Sequence, residues 1–104
     1  MTPEGKIKTK VRRVLSLFGD DLYSFMPVQY GYGATTLDYL CATTDKFSHN
    51  GPIFFAIETK APGKQPTLRQ QSLIAQLRRM GTKVFVIDSD DGVEELRVWL
   101  LSLK

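Results

Sequence analysis

Phe54-Phe55-Ala56-Ile57-Glu58-Thr59-Lys60 is an apolar run that ends, with no turn residue between, in an acid and a base two positions apart. Four consecutive apolar residues predict a strand covered on both faces. Side chains alternate across a strand, so Glu58 and Lys60 project from one face and Thr59 from the other. An ionised pair at the end of a buried strand costs free energy unless something compensates it. A bound metal ion is one such compensation.

Upstream, Leu37-Asp38-Tyr39-Leu40-Cys41 repeats the theme, with one carboxylate set into an otherwise apolar strand. An Asp followed on the next strand by Glu-x-Lys is the residue set that metal-dependent phosphodiester cleavage needs. Two carboxylates hold a hard cation through oxygen, and the ammonium supplies positive charge to an attacking water or to the phosphate.

The rest of the chain is read outward from these two strands. Thr2 caps a helix that starts with Pro3 at the first helical position and runs to about Phe18. Ile7, Val11, Val14, Leu15 and Phe18 recur at helical spacing, while Lys6, Lys8, Lys10, Arg12 and Arg13 largely fill the rest of the circumference. Glu4 lies three before Ile7 and seven before Val11, on the inward stripe, although an acid in a first turn also complements the helix dipole. Leu22 to Val28 predicts a strand with Pro27 at its end. Gln29-Tyr30-Gly31-Tyr32-Gly33-Ala34-Thr35-Thr36 is then a loop whose tyrosines could stack on exposed bases or simply pack locally. It has no phosphate-loop or GxGxxG spacing, which leaves nucleotide binding with little support.

After Asp38, the polar segment Thr43 to Pro52 is a hairpin loop with Asn50-Gly51 as its tight turn, and His49, the single histidine, reads as solvated within it. Thr67 opens a helix that runs to about Met80 and stops at Gly81. Thr67-Leu68-Arg69-Gln70 fits a capping box. Gln70 also precedes Leu73, Ile74 and Leu77 by three, four and seven residues, so it shares their inward stripe. Lys83 to Asp88 is a further buried strand, and about Val93 to Leu103 a last helix. That helix carries Val93, Leu96, Val98, Trp99, Leu100, Leu101 and Leu103 on more than one face, which predicts a partner subunit.

A chain of 104 residues is long enough for one core and too short for two, so a single domain over 1–104 is expected. Cys41 is the sole cysteine, which excludes an intrachain disulfide and a cysteine zinc site. No apolar run approaches the roughly 20 residues that span a bilayer, and Met1-Thr2-Pro3-Glu4-Gly5-Lys6 has no signal-peptide core. A cytoplasmic protein is the expectation. The net charge of +3 is modest, but its clusters are what a nucleic acid would meet.

Helix, three antiparallel strands, helix, strand, helix, with Glu4, Asp38, Glu58, Lys60 and Gln70 converging on the sheet, resembles the PD-(D/E)xK nuclease superfamily. That fold is an α/β core with a central mixed four-stranded sheet flanked by helices, αβββαβα. More narrowly, Thr2-Pro3-Glu4-Gly5-Lys6, the Gly31-Tyr32-Gly33 loop, Ala56-Ile57-Glu58-Thr59-Lys60-Ala61-Pro62-Gly63-Lys64 and Pro66-Thr67-Leu68-Arg69-Gln70 resemble the VRR-NUC family over nearly the whole chain. The resemblance implies a Mg²⁺- or Mn²⁺-dependent DNA endonuclease of the small phage type, a homodimer acting on branched DNA such as the four-way Holliday junction. Under it, Asp38, Glu58, the Thr59 carbonyl and Glu4 hold the metal, Lys60 orients and activates water, and Gln70 positions the lysine or phosphate. Lys6, Lys10, Arg13, Tyr30, Tyr32, Lys64 and Arg69 are the expected DNA contacts. Leu37 stands where the family has proline. A non-catalytic DNA-binding or assembly module that keeps the fold is the alternative, and a small α/β protein whose charged pair is structural is a third.

Overall fold

The computed structural model describes residues 1–27 and 36–104, so the expectations for Tyr30, Tyr32 and the Gly31-Tyr32-Gly33 loop lie outside the described residues. The elements are α1 (Pro3–Ser16), a 3₁₀ turn at Gly19–Asp21, β1 (Leu22–Phe25), β2 (Tyr39–Thr43), β3 (Phe54–Thr59), α2 (Leu68–Arg79), β4 (Lys83–Ile87) and α3 (Asp90–Ser102). The sheet has the order β1-β2-β3-β4. The first two pairings are antiparallel and β3 pairs with β4 in parallel, with α2 as the crossover. This is the expected αβββαβα order and mixed sheet.

β3 lies inside the sheet because its sequence can be buried on both sides. Phe55 and Ile57 enter one apolar cluster with α1 and α3, and Ala56 enters a second with Leu37, Ile74 and Val84 beneath α2. Phe54 is the exception in the apolar run, being about half exposed where β3 begins. Each helix starts on a side-chain cap. Thr2 Oγ1 accepts from Gly5 N at 3.0 Å, Thr67 and Gln70 form the capping box, and Ser89 Oγ accepts from Gly92 N at 3.2 Å. Gly81, just past α2, takes φ +88°, the left-handed conformation that ends a helix without a Cβ penalty.

The structure departs from the sequence expectations in four places. β1 stops at Phe25, before Pro27, whose missing N–H cannot extend a ladder. β2 begins at Tyr39, so Asp38 sits at a bend just before the strand and not within it. α3 begins at Asp90, earlier than its apolar pattern predicts, because Ser89 supplies the cap and Asp90 and Asp91 fill the first turn. Most of the apolar surface of α3 is covered by this chain's own core. Leu96 and Leu100 are fully buried, and Val93, Trp99 and Leu103 pack against the same cluster. Trp99 meets Phe55 and Phe85 edge-on, with centroids 5.1 and 5.3 Å away. Val98 and Leu101 remain exposed. The reason is geometric: α3 contacts both α1 and β4, so two of its sides are buried.

No helix among the described residues is long and apolar enough to cross a membrane.

Candidate active site at the rim of the sheet

The last registered pair between β2 and β3 sets Tyr39 opposite Ile57. Beyond it, side chains take over from the backbone ladder. Asp38 N donates to Glu58 Oε1 at 3.1 Å, and in return Thr59 N donates to Asp38 Oδ2 at 2.9 Å. The Thr59 hydroxyl donates to the same Asp38 oxygen. Each acid therefore accepts from the backbone of the other strand, which locks the two carboxylates at one end of the sheet. This reciprocal pairing needs Asp38 at the bend, which is what the shifted start of β2 provides.

Glu58 is 1% exposed, and burial of a carboxylate is tolerated only where donors surround it. Lys60 Nζ lies 3.1 Å from Glu58 Oε2, and Gln70 Nε2 donates to that oxygen at 2.8 Å. Lys60 thus shares the face of Glu58, as alternation requires. Gln70 performs two tasks with one amide: its Oε1 accepts from Thr67 N at 3.0 Å to close the capping box, while its nitrogen reaches the acid. Burial and the nearby charge of Asp38 push the Glu58 carboxyl above its ordinary range, against the opposing effects of Lys60 and the Asp38 amide. Two acids held this close favour an added cation.

Glu4 does not reach Asp38 directly. Lys8 stands between them, its Nζ 3.4 Å from Glu4 Oε2 and 3.8 Å from Asp38 Oδ1. Burial alone would lower the pKa of Lys8, but Asp38 and Glu4 outweigh it and hold the pKa above the usual lysine value. Charge alone groups Lys8 with the solvated basic face of α1 and hides it as a site residue. A signal was available: Lys8 follows Glu4 by four and precedes Val11 and Leu15 by three and seven, so it flanks the same inward stripe.

The described DNA-contacting candidates lie on α1, on the loop after β3 and on α2. Lys6, Arg13, Lys64 and Arg69 are exposed. Lys10 is already paired with Asp90 at the start of α3, so its charge is partly offset. His49 is exposed, in keeping with a solvated reading. Leu37 is fully buried against Ala56, Ile74 and Val84, so its role is packing beneath α2.

No family model and no curated protein matches the sequence. Among solved structures, one described as "VRR_NUC domain" is similar over 92% of this chain and 95% of that chain, with a TM-score of 0.69 and 21% identity. The chain has the VRR_NUC fold. In this VRR_NUC fold the bend before β2, the end of β3 and the start of α2 meet, and those three places supply Asp38, Glu58 with Lys60, and Gln70.

The rim of the sheet offers few oxygen ligands to a divalent ion. Among the described residues no three His, Cys, Asp or Glu side chains come together as a ready cluster. Two do, and magnesium needs few protein oxygens because it keeps several waters. A carboxylate oxygen has about two lone-pair positions. Glu58 Oε2 and Asp38 Oδ2 each already meet two donors, while Glu58 Oε1 and Asp38 Oδ1 each meet one cation or N–H. The donor chemistry fits a hard cation held by one oxygen from each acid.

Proposed function

We propose that this chain is a single nuclease domain over 1–104, a divalent-metal-dependent endodeoxyribonuclease that hydrolyses phosphodiester bonds. The observation that carries the reading is the reciprocal lock of Asp38 and Glu58, with Lys60 and Gln70 both on Glu58. Asp38, Glu58, the Thr59 carbonyl and Glu4 are the residues that would hold Mg²⁺ or Mn²⁺. The ion, when bound, supplies positive charge to the phosphoryl oxygens as negative charge develops there. Lys60 orients the attacking water and stabilises the anion it becomes. Gln70 fixes the Glu58 carboxylate, so that the lysine beside it is held in register with the phosphate. Water adds to phosphorus as the bond to the leaving sugar oxygen breaks; the water's proton passes to solvent and the leaving oxygen takes one from solvent, giving a phosphate monoester and a free hydroxyl.

Lys6, Arg13, Lys64 and Arg69, with Lys10 where Asp90 releases it, neutralise DNA phosphates in a sequence-independent and salt-sensitive way. Branched DNA is the proposed substrate and a homodimer the proposed assembly, since two sites related by symmetry can cut two strands of a four-way junction. Val98 and Leu101 on α3 are exposed apolar residues available to such an interface. Incubation of the purified protein with junction and linear DNA, with and without Mn²⁺, tests the reading. Mn²⁺-dependent cleavage that Glu58→Ala abolishes is expected; no cleavage of either DNA, or cleavage unchanged in that variant, overturns it.

One observation favours a second reading, a non-catalytic DNA-binding module: every carboxylate oxygen of Asp38 and Glu58 already has at least one protein donor or cation, Lys8 among them. Such a module would bind DNA equally in EDTA and in Mg²⁺.

A further inference from the structure

The oxygen of Asp38 with capacity left for an ion is Oδ1, and that is the oxygen Lys8 faces, at 3.8 Å. The same ammonium holds Glu4, the third acid of the proposed metal set, at 3.4 Å. A surface pair of Glu and Lys four apart on a helix needs no third partner. Lys8 has one, from a different strand, and its side chain is only 29% exposed. Its stem is flexible and ends in a compact point charge, and the remaining exposure leaves it a route outward.

We propose that Lys8 is a positioning residue that couples metal uptake to DNA binding: it stands in for the cation between Glu4 and Asp38, and is released toward a DNA phosphate when a divalent ion takes those acids. The inference rests on the metal-nuclease reading. Its physical basis is exclusion of like charges. An ammonium and a divalent cation cannot share Asp38 Oδ1 without strong repulsion, so either the ion binds weakly or the lysine moves. A phosphate near the site gives the displaced ammonium a new partner and so favours the ion. By linkage, the ion favours DNA by the same factor. A lysine ammonium is charged at neutral pH, which the exchange requires.

The test compares wild type with Lys8→Met, Lys8→Gln and Lys8→Arg, each first checked by its thermal melt. Mn²⁺ is titrated calorimetrically without DNA, and binding of a labelled four-way junction is then followed by fluorescence anisotropy in EDTA and in Ca²⁺. Removing the charge should tighten Mn²⁺ binding about tenfold and reduce the gain in DNA affinity on adding metal by a similar factor. Lys8→Arg should behave as wild type. Lys8→Gln, nearly the same length and neutral, decides the matter if Lys8→Met does not fold. Wild type that takes up no Mn²⁺ removes the metal-nuclease reading itself, and this inference with it. Wild type that binds Mn²⁺ while both neutral variants bind it equally or more weakly overturns the role of Lys8 and leaves the nuclease reading standing.

Discussion

The two faces of the sheet are built differently. One is covered by α1 and α3 over a broad cluster that includes Phe55, Ile57, Phe85, Ile87, Leu96 and Leu100. The other is covered, among the described residues, by α2 over Leu37, Ala56, Ile74 and Val84, and Glu58 lies at its edge. The thick face carries most of the buried apolar side chains. The thin face leaves room at its margin for charges that need water, a lysine and a helix N-terminus close by.

Truncation of core residues should expose this difference most plainly. Phe55→Ala on the thick face should cost about 3–5 kcal/mol, a large part of a typical domain's stability, whereas Ile74→Ala on the thin face should cost about 2 kcal/mol. Urea denaturation of both variants checks it, and equal losses would break the contrast.

Gln70→Ala probes the margin of the thin face. It removes a donor from a buried carboxylate and opens a capping box, so a loss of about 2 kcal/mol is expected. Gln70→Glu should lose at least as much, because it sets a second carboxylate against Glu58. Thermal melts of the two variants give the answer.

A milder probe of the thick face is pH. Burial pushes the Cys41 thiol from 9.0 up to about 12. Its folded value is thus raised above its unfolded one. The preference of the fold for the neutral thiol contributes stability that is complete below pH 9 and is lost as pH rises toward the folded value, at up to about 1.4 kcal/mol per pH unit. Wild type should therefore lose stability faster than Cys41→Ala between pH 9 and 11, in matched denaturant titrations.

The smallest effect is expected at Tyr39, whose buried hydroxyl has no hydrogen-bond partner among the described residues. Tyr39→Phe removes an unpaired polar group and should leave stability unchanged or raise it by about 1 kcal/mol. A loss of that size would mean that the hydroxyl is satisfied in solution, and would bring the neighbourhood of Asp38 into question.

Much of the site was readable one residue at a time. Glu58 and Lys60 share a face because strands alternate, and Gln70 turns inward because helices repeat every 3.6 residues. Lys8 was not readable from charge, because a lysine on a basic helix looks the same whether it faces water or an acid from another strand. The cover over α3 was equally hidden. Its apolar residues spread around the helix, and only contact with both α1 and β4 shows that most of them are used internally.

Local periodicity was enough to determine the order of helices and strands, the burial of Phe55, Ala56 and Ile57, and the caps at Thr2 and Thr67. These depend on neighbours within a few positions. Which acid meets which amide was decided only by the folded chain. Asp38 and Glu58 are twenty residues apart, and the pairing of β2 with β3 is what brings Glu58 to the Asp38 amide and Asp38 to the Thr59 amide.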